Sequence, residues 1–178
     1  MSYFFNFFKI FFGAAIFASL LMSCGEGEKA CLLPAPSAIF TADMRGVTAH
    51  KFESKGLEAN EELVLADLAM RLEILQSGCE QPVQEFRLYL DGTVNDVQTA
   101  AATARLVADI FGNIAQIDSE KLKGFMDLAQ LLNENAMLFN EFGQATPITT
   151  ADNRIIEVVL NKTNEPKRTF LNMELRIK

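Results

Sequence analysis

The residues equipped to cut, transfer or ligate are few: Cys24, Cys31, Cys79, a single histidine at position 50, and the neighbouring carboxylates Glu61 and Glu62. A serine hydrolase would need His50 as its base, and no Gly-x-Ser-x-Gly elbow accompanies it. His50 is therefore expected to be a strand residue with an ordinary hydrogen bond. Glu61 and Glu62 sit on a segment whose leucine spacing suggests a helix, where adjacent residues point apart and form no acid–base pair. The sequence contains no phosphate loop, dinucleotide fingerprint or clustered metal ligands. The expectation is a non-enzymatic chain with no cofactor and no metal; a small envelope enzyme is the competing class.

Cys24 is distinguished by what precedes it. Lys9 is followed by an uninterrupted apolar run from Ile10 to Met22, then Ser23 and Cys24. Such a run makes a helix of about 20 Å, short of a hydrocarbon core of about 30 Å, and so reads as an export signal, not a stable span. Leu21-Met22-Ser23-Cys24 has the form of a lipobox, with a branched apolar residue, a small residue before the cut and an obligatory cysteine. The alternative is an ordinary secretory signal followed by an incidental cysteine. The lipobox reading divides the chain into a signal peptide (1–23), a lipidated N-terminus and short tether (24–36), and one domain (37–178). It implies lipidation of Cys24 and attachment to a membrane through that lipid. Gly25 is not the aspartate that retains many lipoproteins at the inner membrane. An outer-membrane anchor facing the periplasm is favoured, and Glu26 and Glu28 leave the cell surface open.

The net charge is −7, and Lys9 is the sole charge before Cys24, so the exported part is more acidic still. An acidic surface repels phosphate backbones, which excludes nucleic acid as a natural partner. With Cys24 acylated, Cys31 and Cys79 remain in a compartment where disulfides persist. A bridge would close a loop of about 49 residues and contribute roughly 4 kcal/mol on the chain-entropy model. The alternative is two buried thiols.

The elements that must position these groups follow from periodicity. Residues 46–52 alternate loosely, as a strand with either Val47, Ala49 and Lys51 or Thr48, His50 and Phe52 on one face. Asn60 offers an N-cap, and Leu65, Leu68, Leu72 and Leu75 follow at helical spacing up to Gly78. From Gln84 to Leu90 the period is two, and Asp91-Gly92 ends the strand. Asn95 or Asp96 then caps a helix carrying Val97, Ala101, Ala104, Ala108 and Phe111 on one face, which Gly112 stops. Asp118 and Ser119 begin another helix with Leu122, Phe125, Leu128, Ala129 and Leu132 as its stripe. Ala136–Phe142, Arg154–Leu160 and Thr169–Ile177 read as strands. This order predicts an α+β fold, a mixed sheet with helices packed on one face.

That order, with two local matches, resembles the OmpA-like domain, a βαβαβ-type fold that grips peptidoglycan in many envelope proteins. One match is Phe142-Gly143, Pro147-Ile148, and then Asn153-Arg154-Ile-Ile-Glu157-Val-Val-Leu160, where the family has N-R-x-V-E-I on its last strand. The other is Asp91-Gly92-Thr93 before a helix ending Val107-Ala-Asp-Ile-Phe111. The resemblance implies an OmpA-like arrangement with the helix of residues 119–132 inserted. The family's ligand-binding Asp and Arg align with Val94 and Thr103, so neither is matched. Asp91, Asn95, Asp96 and Arg105 are the residues from which a shifted ligand-binding site could be rebuilt, although turn and cap chemistry also accounts for the first three. Arg105, two positions along from Thr103, is rotated by about 200° on a helix and should face away. The stretch Phe86–Val94 with the alanine-rich helix after it also looks like a BON domain, a small membrane-surface module.

These observations lead to the expectation of a lipid-anchored envelope protein whose domain contacts a membrane-proximal envelope protein. Peptidoglycan attachment and a BON-like role at the membrane surface are the rival binding functions. A tether this short favours the protein partner, because a wall-gripping lipoprotein gains from a long linker.

Overall fold

The computed structural model describes residues 35–78, 82–94, 98–150 and 152–177. The proposed signal, Cys24, Cys31, Cys79, Asn95, Asp96 and Val97 lie outside them. The chain builds one seven-stranded sheet: β1 (Val47–Lys55), β2 (Glu58–Leu65), β3 (Met70–Ser77), β4 (Val83–Asp91), β5 (Ala145–Thr149), β6 (Ile155–Glu165) and β7 (Arg168–Ile177). Two helices, α1 (Ala100–Ala115) and α2 (Lys123–Glu134), stand between β4 and β5. The strand order is β1-β2-β3-β4-β7-β6-β5, and every adjacent pair is antiparallel. The sheet is thus a four-stranded and a three-stranded meander joined along β4 and β7.

The α+β class holds, but the sheet is not mixed and the βαβαβ order is not seen. A single crossover helix returns the chain to pair in parallel. Here α1 and α2 run up and back, so that Arg105 near the start of α1 meets Met137 just beyond α2, their Nη2 and Sδ atoms 3.5 Å apart. The chain re-enters the sheet as a second antiparallel meander.

The expected helix between Asn60 and Gly78 is instead the β2–β3 hairpin. Glu61, Leu63 and Leu65 on β2 and Met70, Leu72 and Ile74 on β3 are all buried, a period of two. The leucine spacing that fits a helix is coincidental. A short 3-10 turn, Ala66–Leu68, reverses the chain, with Ala69 in the left-handed region at φ 46°. On this hairpin Glu61 and Glu62 still point apart, because neighbours on a strand occupy opposite faces.

Alternation buries one face of each inner strand. Leu63, Leu72, Leu88 and Leu171 form one row across β2, β3, β4 and β7; Ile74, Phe86, Met173 and Leu160 form the next across β3, β4, β7 and β6. The helices cover this inner face. Phe86 lies 5.1 Å from Phe111 of α1 and 5.7 Å from Phe125 of α2, and those two rings are 5.2 Å apart, in edge-on contacts. Phe40, fully buried, adds a fourth ring 5.6 Å from Phe125.

Several expected boundaries shift. The N-cap of α1 is Thr99, whose Oγ1 accepts from the Ala102 amide at 3.1 Å; Asn95 and Asp96 precede it. The helix continues past Gly112 to Ala115, since Ile110, Phe111, Ile114 and Ala115 are buried on both sides of the glycine. The third expected helix starts later, at Lys123, while Asp118 accepts from the Lys121 amide at 3.0 Å in the preceding turn. Ala136–Phe142 is not a strand: a short 3-10 turn, Ala136–Leu138, leads to β5.

Candidate functional site

The residues put forward for a rebuilt ligand site do not meet as one. Asp91 is exposed at the end of β4, opposite Arg168 of β7. Arg105 is exposed on α1 and donates to Met137. Thr103 is fully buried, so the position matching the family's arginine faces the core. Val94 is held by its main chain, its amide donating to Thr169 Oγ1 at 2.8 Å and its carbonyl accepting from Lys162 Nζ at 2.6 Å. Asn95, Asp96 and the cysteines lie outside the described residues.

The segment carrying the strongest family likeness is a tight turn between β5 and β6. Asn153 adopts φ 63°, the Thr150 amide donates to the Arg154 carbonyl at 2.9 Å, and the Arg154 guanidinium binds Asp152 at 2.7 Å. The hydrogen bond from Thr150 and then the bonds from Arg154 hold the Asp152 carboxyl below its ordinary range. Asparagine and arginine here serve turn geometry.

His50 is a strand residue on β1, and its Nε2 lies 2.8 Å from Oε1 of Glu61. That carboxylate is fully buried, and it also accepts from the main-chain amides of Ile39 at 2.9 Å and Phe40 at 2.8 Å. It pins the segment entering the domain against β1 and β2. Among the described residues no group of three or more His, Cys, Asp or Glu side chains is placed to hold a metal.

The other concentration of polar side chains is the outer face of the sheet, away from the helices. On β3 and β4, Arg71 stands 4.0 Å over the ring of Tyr89, whose hydroxyl donates to Glu73 at 3.1 Å. Partial burial first, and then the Glu73 charge, push the Tyr89 pKa up. Arg87 donates to Glu85 at 2.8 Å and lies 3.8 Å from Glu73; its bond to Glu85 is the main cause of a raised pKa. Across the seam, Tyr89 lies 5.0 Å from Phe170, and Asn172 donates to Glu85 at 2.9 Å. Glu85 and Glu174 stand opposite in register, each relieved by its own arginine, Arg87 and Arg176. Such a surface, half exposed and near charge balance, presents arginine and aromatic planes for contact. The alternation within β4 and β7 placed their members of this cluster on one face in the sequence, whereas Arg71 and Glu73 fell in the stretch read as a helix; the β4–β7 register that joins them had no local signal.

Among the described residues no helix is long and apolar enough to cross a membrane. Comparison with known protein families, curated proteins and solved structures returns no match.

Proposed function

We propose that the chain is a non-enzymatic lipoprotein of the bacterial envelope, anchored through Cys24, whose domain contacts a membrane-proximal envelope protein. The observation that carries the anchor is the lipobox closing a short apolar run. The contact reading is supported by the outer sheet face, where Arg71, Tyr89 and Phe170 supply residue types that concentrate binding energy at interfaces. The carboxylate that binds His50 also accepts from the Ile39 and Phe40 amides, which supports a structural role for the pair.

Peptidoglycan attachment by a divergent OmpA-like domain is the weaker reading. An arginine at position 103 would project into the core, and the Asn153 segment is explained as a turn. Two measurements test the proposal. Replacing Cys24 by Ala should release the protein from membranes or leave its precursor uncleaved. A photo-crosslinking amino acid at Tyr89 should trap a protein partner in intact envelopes, while the purified domain stays in the supernatant when isolated cell-wall sacculi are sedimented. Cosedimentation with sacculi and no protein adduct would reverse the order of the two readings.

A further inference from the structure

The two edges of the sheet are not alike. β5 is five residues long and carries Pro147, which lacks an amide and blunts an edge. β1 is nine residues long and contains no proline. Among the described residues no strand lies beyond it, so alternate amides and carbonyls along its outer side have no strand partner.

The register of β1 against β2 shifts between Val47 and Ala49, and from Ala49 to Lys55 it is regular. Phe52 is the middle residue of that regular stretch. Antiparallel pairing of two copies of β1 about a twofold axis normal to the sheet keeps the inner faces together and requires a residue to face itself. Centring on Lys51 or on Glu53 sets like charges opposite each other. Centring on Phe52 sets Lys51 opposite Glu53 of the second copy and Glu53 opposite its Lys51, with His50 facing Ser54 and Phe52 facing its own mate.

We propose that β1 is a homodimer edge, two copies pairing antiparallel about Phe52 into one continuous sheet. In the single chain Lys51 Nζ and Glu53 Oε1 are 2.9 Å apart along the strand, with side chains 61% and 65% exposed. Across the axis the same two side chains meet twice, and Lys51 stands between Glu62 of its own β2 and the incoming Glu53. Opposite charges facing across strands stabilise pairing and like charges oppose it. The charges on this edge therefore reject the registers centred on Lys51 and on Glu53 and favour this one, which also keeps the whole regular stretch from Ala49 to Lys55 paired. The twofold also leaves the Ile39–Phe40 segments of both copies on the same face of the sheet.

The test is native mass spectrometry and sedimentation of the full lipidated chain in detergent, for three proteins. Wild type is expected to be dimeric at micromolar concentration. Lys51→Glu, which opposes two acids twice, should weaken the dimer at least about tenfold. The double exchange Lys51→Glu with Glu53→Lys restores the pattern with the signs swapped and should recover the dimer. A cooperative urea transition shows that each variant is folded, with a lower midpoint expected in the two that carry Lys51→Glu because that exchange sets an acid opposite Glu62. A wild type that stays monomeric to about 100 µM overturns the proposal. So does a single variant as dimeric as wild type, or a double variant that does not recover.

Discussion

His50 Nε2 and Glu61 Oε1, 2.8 Å apart, are diagonal neighbours on the inner face of the β1–β2 ladder, and the carboxylate is closed from solvent on every side. It also accepts from the Ile39 and Phe40 amides.

Truncating this carboxylate leaves buried donors without partners. Glu61→Ala is expected to destabilise the domain by about 3 kcal/mol. Glu61→Gln, which keeps one acceptor oxygen, should cost less. Urea denaturation reads the ranking, and amide exchange at Ile39 and Phe40 should accelerate selectively; equal stability of wild type and Glu61→Ala would remove the pinning role.

The Asp127 carboxyl has its pKa raised by burial, partly countered by the nearby Lys123 charge, and its Oδ2 has no hydrogen-bond partner among the described residues. A raised folded pKa means the fold binds the proton more tightly than the unfolded chain does. The contribution of this one group to stability is thus fully present below the ordinary carboxylate range and is lost as pH rises through the folded value. Asp127→Asn should raise the melting temperature at neutral pH by no more than about 2 °C, because the group is largely solvent-screened, and lose the gain near pH 3.

Asn153 tests whether the family-like segment is turn chemistry. Its φ of 63° suits Gly and resists β-branched residues. Asn153→Gly should be nearly neutral and Asn153→Val should cost about 1–2 kcal/mol. Differential calorimetry distinguishes this from a ligand-contact role, in which both substitutions would leave stability unchanged.

Placing an arginine at position 103, where the OmpA-like resemblance would call for one, should not create a wall-binding site. Thr103 is fully buried, so Thr103→Arg is expected to lose about 3 kcal/mol or more by forcing a charge into the core. Calorimetric titration of diaminopimelate-containing stem peptide should show no saturable heat with wild type or variant. Saturable binding abolished by Asp91→Ala or Arg105→Ala would show a rebuilt site.

A Cys31–Cys79 bridge would tie the tether to the β3–β4 connection, which holds Cys79. Protein purified from envelopes should then lack free thiols at both positions by non-reducing peptide mass analysis. Two free thiols would end that proposal.

β4, β6 and β7 were legible because one face of each packs on the core and the other meets water, leaving a clear period of two. The stripes of α1 and α2 were legible for the same reason at the helical period. Residues 60–77 were not, because Leu65, Leu68, Leu72 and Leu75 satisfy one template while Glu61, Leu63, Leu65, Met70, Leu72 and Ile74 satisfy another. A buried Glu61 weakened the strand pattern, and the reversal at Ala69 uses no glycine or asparagine to announce itself. The outer-face cluster was half legible: β4 and β7 name their side chains, but Arg71 and Glu73 lie in the stretch read as a helix, and Tyr89 meets Phe170 only through a register between distant strands.

The seam between β4 and β7 also sets an order of events. The first four strands form a local meander with short loops, whereas β7 must find β4 from far along the chain, at a separation of 87 residues for Glu85 and Asn172. Distant strand pairing is the slow part of assembly. In N-to-C-terminal order the first meander precedes everything that covers it, so its leucine-rich side and the flank of β4 find no partner until the helices and the last three strands arrive. The final strand is therefore the closure of the molecule, and a chain cut short before Arg168 would retain a sticky half-sheet.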